Sequence, residues 1–183
     1  MGLYCDLIRL DDQEIEKCLE LNNQEDIYAL IQQNREHDWF DLDKAWHGIH
    51  FILNKPYPTE IAPLNFILQG GLWLTNRNWE DIYGIDVPDM RAFYSAQVKY
   101  IFTALSSVTD REFKYRYDPN IMLKCKIYPY VWEEQKYLFS WILTKYLKFS
   151  IHLDYLVFHF KKLQTFIAKT VDHDWGLIIK YHQ

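Results

Sequence analysis

Along this chain the spacing of apolar positions passes from alternation to helical recurrence and returns to an apolar run at the far end. That order predicts strands at both ends with helices between them. "LYCDLIRL" (3–10) alternates weakly and stops at Asp11-Asp12, so it reads as a first strand. Those acids cap "QEIEKCLEL", whose Ile15, Cys18 and Leu19 recur at helical spacing. In "QEDIYALIQQ", Ile27, Leu30 and Ile31 share one face and predict a second helix. "DLDKAWHGIHFIL" (41–53) predicts a third, with Asp41 as N-cap and Leu42, Ala45, Trp46, Ile49, Ile52 and Leu53 gathered on its core face.

"APLNFILQGG" (62–71) reads as a short helix stopped by Gly70 or Gly71 in the left-handed conformation that other residues resist. Residues 72–89 are polar, aromatic and aperiodic, an extended loop region with room for one short strand, and "MRAFY" after them reads as extended. Ser95 is the expected N-cap of "AQVKYIFTAL", with Val98, Ile101, Phe102 and Leu105 on one stripe. Thr109 caps a short helix with Asp110 and Glu112 in its first turn, where the dipole favours anions. Asp118 caps another, with Pro119 at the first helical position. "IYPYVW" (127–132) breaks at Pro129, helices follow over about 133–149 and 152–171, and "WGLIIKYH" closes as a strand. The pattern predicts one α/β domain over 1–183, a helix-rich α/β/α sandwich around a small mixed sheet.

A length of 183 residues with 49% hydrophobic positions is enough to bury a core without metal or disulfide support, so no cofactor is called for. The net charge of −5 excludes a non-specific nucleic-acid binder, which needs a basic stripe to displace counterions, and favours basic partners instead. Cys5, Cys18 and Cys125 form no Cys-x-x-Cys pair and read as core fillers in a reducing compartment. The start "MGLYCDLIRL" has no signal-peptide pattern, and no apolar run is long enough for a membrane span. The expectation is a cytoplasmic protein, monomeric in isolation, with no membrane or nucleic-acid partner.

Asp43, His47 and His50 stand at i, i+4 and i+7, a polar stripe beside the apolar face of the third helix. A carboxylate and two imidazoles suit a metal or a proton relay, yet one helix offers at most three ligands and His37, His152, His159, His173 and His182 are scattered. Structural hydrogen bonding is therefore the favoured reading, with Trp46 a core anchor whose indole N–H needs one acceptor. Gly70-Gly71 lacks the context of a dinucleotide fingerprint or a P-loop, and Glu133-Glu134 suit a helix start better than a carboxylate pair. Neither catalytic residues nor a metal set is assigned.

"FDLDKAWHGIHFIL", "PLNFILQGG", "YDPNIML" and "IYPYVW", in that order and spacing, resemble the YfbM-like bacterial proteins, a domain family of unknown function. The resemblance runs nearly the whole chain and implies a compact α/β sandwich of bacterial origin. The family's recurrent positions fall on Asp43, Lys44, Trp46, His50, Gly70, Gly71, Tyr128, Pro129 and Trp132. Two departures, "LWLTNRNWEDIYGIDVPDM" and the aromatic tail "YLFSWILTKYLKFSIHLDYLVFHF", argue against a small-ligand pocket shared with the family.

The functional expectation, drawn from family context, charge and composition, is a non-enzymatic immunity protein that neutralises a cognate toxin by direct binding. Its expected contact residues are Trp73, Trp79, Glu80, Asp81, Tyr83, Asp86 and Asp89, aromatic anchors ringed by charge. The alternative is a small-ligand- or metal-dependent enzyme using Asp43, His47 and His50, with Tyr128 and Trp132 as pocket walls.

Overall fold

Leu3, Cys5 and Leu7 point to one face of strand β1 (Tyr4–Leu10) and Ile8 and Leu10 to the other, so the first strand is buried on both sides. In the computed structural model, residues 2–21, 23–34, 39–54, 62–75, 89–132 and 150–183 are described. After β1 come α1 (Asp12–Glu20), α2 (Gln24–Asn34), β2 (Trp39–Asp41), a 3-10 turn (Asp43–Ala45) and α3 (Trp46–Asn54). Then follow β3 (Leu72–Trp73), β4 (Met90–Phe93), α4 (Ser95–Ser107), α5 (Asp110–Arg116), α6 (Pro119–Lys124), α7 (Ile151–Asp172) and β5 (Gly176–His182). The expected helix at 133–149 lies outside the described residues, and among those described no helix is long and apolar enough to cross a membrane.

The strands order as β2-β1-β5-β4-β3, with every ladder antiparallel. Among the described residues the sheet is therefore antiparallel throughout, where the pattern of elements suggested a mixed one. Two helices join β1 to β2, so the chain re-enters the sheet from the end it left; a parallel neighbour needs a crossover to the opposite end. The closing strand β5 lies at the centre, paired with β1 from Tyr4↔His182 to Leu10↔Gly176 and with β4 from Met90↔Lys180 to Phe93↔Leu177. A strand covered on both faces needs apolar side chains in both directions, which is why "GLIIKY" reads as a run rather than an alternation.

Two cores lie on the opposite faces. Ile15 and Cys18 of α1 and Ile27 and Ile31 of α2 pack on Ile8, Leu10, Met90, Ala92 and Ile178. On the other face α3, α4, α5 and α7 supply Trp46, Ile49, Val98, Ile101, Phe113, Phe160 and Leu163 against Leu7, Ile179 and Tyr181. Most caps follow the sequence. Asp11 and Glu14 form a reciprocal capping box at α1, Thr109 and Glu112 do the same at α5, and Asp118 caps α6 with Pro119 behind it. Two differ. The cap of α4 is Tyr94, whose N–H donates to Gln97 Oε1 at 2.9 Å, while the Ser95 N–H and hydroxyl both donate to Asp12 at 2.8 Å. Asp41 ends β2 rather than capping α3, and its Oδ1 accepts from the Asp43 N–H across a left-handed Asp43 (φ 50).

The stretch 62–71 is a series of turns, not the expected helix. Few backbone bonds hold it, among them Phe66 N–H to Pro63 O at 3.2 Å and Gln69 N–H to Asn65 O at 2.9 Å. Its carbonyls are taken instead by side chains from distant strands. Arg91 on β4, 1% exposed, donates from Nη1 to Gly70 O at 3.0 Å and from Nη2 to Phe66 O at 3.2 Å and to Ile67 O. The Tyr181 hydroxyl donates to the same Ile67 carbonyl, and Asn54 Nδ2 reaches Leu64 O at 3.3 Å. Gly70 (φ 77) and Gly71 (φ 74) turn the chain into β3 in the left-handed conformation, and a Cβ on Gly71 would stand 2.6 Å from Ala92 O.

Removing a buried charged donor strands the carbonyls it served. Arg91→Leu is expected to cost about 3 to 5 kcal/mol of unfolding free energy in urea titration, and Arg91→Lys to recover less than half of it because an ammonium lacks the planar fork.

Candidate functional site

Three of the positions marked by the family resemblance, Lys44, Trp46 and Tyr128, meet at the start of β1. The Leu3 N–H donates to the Tyr128 hydroxyl at 2.8 Å, and the Leu3 carbonyl accepts from Trp46 Nε1 at 3.0 Å, both bonds buried. Leu3 is thus held on both backbone groups before the sheet ladder begins. Trp46 stacks between His47 (centroids 5.0 Å, 8°) and Tyr128 (5.6 Å, 23°), with Tyr181 edge-on at 5.2 Å. Lys44 Nζ sits 5.0 Å above the Tyr4 ring, a cation–π contact at the rim of the cluster.

Tyr128 joins Pro129 through a cis peptide, within the turn that ends at Trp132. Trp132 is buried, donates its indole N–H to Ile127 O at 2.6 Å, and lies over Gly48 of α3. A Cβ at Gly48 would stand 2.9 Å from Trp132 Cη2 and 2.9 Å from Leu156 Cδ2, so glycine is what lets α3 approach this close.

Asp43, His47 and His50 do not act together. Asp43 Oδ2 accepts from the Tyr155 hydroxyl of α7 at 2.8 Å, and burial together with that carboxylate pushes the Tyr155 phenol up. His47 Nδ1 accepts from the Tyr128 N–H at 3.0 Å, which requires the neutral Nε2–H tautomer. Burial lowers His47 to about 4, and burial, His47 and the Arg91 charge lower His50 to about 3. His50 also offers its carbonyl to Asn54 Nδ2 at 2.8 Å, the amide that ties α3 to the 62–71 turns. Among the described residues no group of three or more His, Cys, Asp or Glu side chains is placed to hold a metal ion. Tyr128 and Trp132, considered as pocket walls, are core residues. Burial pushes the Cys5 thiol up and raises Cys18 to about 11, away from the reactive thiolate; Cys125, expected inside, is exposed.

The expected partner surface is divided. Trp79, Glu80, Asp81, Tyr83 and Asp86 lie outside the described residues. Trp73 is 55% exposed on β3, an outer strand of the sheet. Asp89 is 1% exposed, its carboxylate accepting from the Gln24 amide of α2 and its carbonyl from the Tyr181 N–H at 2.8 Å. It faces inward and tethers α2 to the sheet, so it is not a surface contact. Sequence reasoning missed Arg91, Tyr155 and Tyr181. The one local signal was a charged residue inside the otherwise apolar "MRAF".

The family model described as "Domain of unknown function (DUF1877)" matches residues 1–180. The chain belongs to this family. Among solved structures it is similar to YfbM of Escherichia coli, a protein of unknown function, at 15% identity and a TM-score of 0.65, covering 98% of this chain and 99% of that one. That likeness establishes a shared mixed α/β fold. No curated protein matches the chain.

The signature geometry has measurable consequences. Tyr128→Phe leaves the Leu3 N–H without its buried acceptor and is expected to cost about 1 to 3 kcal/mol, with faster hydrogen exchange at the Leu3 amide. The unfolded chain protonates its histidines near 6.5, whereas folded His47 and His50 resist until about 4 and 3. Across that interval the unfolded state binds more protons. Stability therefore falls with acidification, by up to about 1.4 kcal/mol per pH unit for each imidazole. Urea midpoints from pH 7.5 to 5 should follow a flatter profile in His47→Gln than in the wild type.

Proposed function

We propose that this DUF1877 protein is a non-enzymatic binding protein of the cytoplasm, an immunity protein that neutralises a cognate toxin by holding it at the β3 edge of the sheet. The observation that carries the reading is Trp73, an indole 55% exposed on an outer strand beside the half-exposed Leu72. Among the described residues β3 is an outer strand, and an exposed aromatic at a sheet edge is the kind of anchor that dominates protein interfaces. Glu80, Asp81 and Asp86 follow within the next stretch of sequence, and the chain carries a net charge of −5. Both favour capture of a basic partner, with charge accelerating the encounter and the aromatic slowing release.

Binding is favoured over catalysis by the use already made of the polar signature atoms. Asp43 serves Tyr155, His47 serves the Tyr128 backbone, and Trp46 serves Leu3. Each holds one part of the fold against another.

The test is co-expression with the product of a toxin gene adjacent to its own, with affinity measured on the purified pair. Protection and tight binding are expected from the wild type. Trp73→Ala should weaken binding at least tenfold, about 2 kcal/mol for an aromatic anchor, without moving the urea midpoint. If the wild type neither binds nor protects against any such product, the reading is wrong.

A further inference from the structure

A groove of about 380 Å³ lies between the 62–71 turns and the first turns of α4. Its floor is apolar, made by Pro63, Phe66, Phe93 and Ile101, the last three buried. Amide side chains stand at its rim, Asn65 and Gln69 from the turns and Gln97 from α4, together with the exposed phenol of Tyr100. A volume in this range, with an apolar base and a few convergent polar groups, is what small-molecule sites present.

The floor is open because glycine stands beside it. A Cβ at Gly71 would lie 2.9 Å from Phe93 Cζ and one at Gly70 3.5 Å from Phe93 Cε1, so a side chain at either position would cover the edge of that ring. The wall is also fixed in advance. Arg91 holds the carbonyls of Phe66, Ile67 and Gly70 from inside the core, and the Tyr181 hydroxyl holds Ile67 O again. Turns anchored from beneath keep their shape when a ligand arrives, and little ordering cost falls on binding.

The rim amides are only half used by the protein. Asn65 Nδ2 donates to Gln69 Oε1 at 3.1 Å, and Gln97 Oε1 accepts from the Tyr94 N–H at 2.9 Å. Among the described residues that leaves Asn65 Oδ1 as an acceptor, with Gln69 Nε2 and Gln97 Nε2 as donors. A carboxylate offers acceptors alone and would set its charge against Asn65 Oδ1. An amide edge carries a donor beside an acceptor and serves both kinds of group. Beneath it, a planar ring meets Phe66 and Phe93 in the edge and offset arrangements that aromatic pairs favour.

We infer that the groove between the 62–71 turns and α4 binds an uncharged aromatic amide, its ring on Phe66 and Phe93 and its amide edge among Asn65, Gln69 and Gln97. The site needs no partner at β3, so it stands or falls independently of the toxin proposed there.

The test is titration of the isotope-labelled full chain with benzamide, followed by backbone amide shifts, with benzoate and cyclohexanecarboxamide as comparisons. Benzamide is expected to shift the Gly70, Gly71 and Ile101 amides and to saturate with a millimolar Kd, the range open to so small a ligand. Benzoate and cyclohexanecarboxamide should each bind at least fivefold more weakly. Ala96→Trp fills the groove from an exposed helix position compatible with folding and should abolish the shifts. Gln69→Leu, also at an exposed position, should weaken benzamide at least threefold while leaving the urea midpoint in place. Absence of shifts at those amides at millimolar benzamide overturns the site, as does unchanged binding in Ala96→Trp. Benzoate binding as tightly as benzamide, or Gln69→Leu without effect, overturns the amide edge, and cyclohexanecarboxamide binding as tightly overturns the aromatic floor.

Discussion

A single guanidinium decides how the β3–β4 end of the sheet meets the rest of the molecule. Arg91 projects from β4 into the larger core and gathers the carbonyls of Phe66, Ile67 and Gly70, groups that a helix would have satisfied internally. A buried charge of this kind is tolerable only when its hydrogen bonds are well placed, and a loop of buried carbonyls only when something donates to it. Each solves the other's problem. With the turns fixed, Gly70 and Gly71 deliver β3 to β4, Tyr181 adds its hydroxyl from β5, and Asn54 draws in the end of α3. Four elements distant in sequence are therefore positioned by one polar network.

A second network begins at the other side of the same core. Trp46, Tyr128, His47 and Lys44 surround the entry to β1, and the stack of rings passes through Trp46 to Tyr181, the residue that shares Ile67 O with Arg91. The signature positions are thus the contacts by which the helical layer grips the sheet. Their chemistry-bearing atoms face one another or the backbone, so side chains that look like an active site in the sequence serve as internal supports.

Much of this was legible from local pattern. Asp11 with Glu14, Thr109 with Glu112 and Asp118 with Pro119 mark helix starts through contacts within a turn, and β1 and β5 follow from their apolar positions. What local pattern hid were the cases decided at long range. "APLNFILQGG" has helical spacing, but its carbonyls are claimed by Arg91 and Tyr181 from strands that arrive later in the chain. Asp41 stands before an apolar run as an N-cap does, yet three residues of β2 pairing with β1 place it at the end of a strand. Asp89 sat in an acidic aromatic stretch and read as surface, while its partners Gln24 and Tyr181 are far away in sequence. The stripe of Asp43, His47 and His50 is visible within one helix, whereas the groups that donate to Asp43 and His47, the Tyr155 hydroxyl and the Tyr128 N–H, come from elements far along the chain.

The position of β5 has a consequence for how the chain acquires its structure. Residues 176–182 form the middle strand, flanked by β1 from the start of the chain and β4 from its interior. Before β5 docks, β1 and β4 share no ladder and the edges that will flank it are unpaired by it. The decisive step of assembly is therefore the docking of β5, which joins two ladders far apart in sequence, and such non-local pairing makes for slow folding.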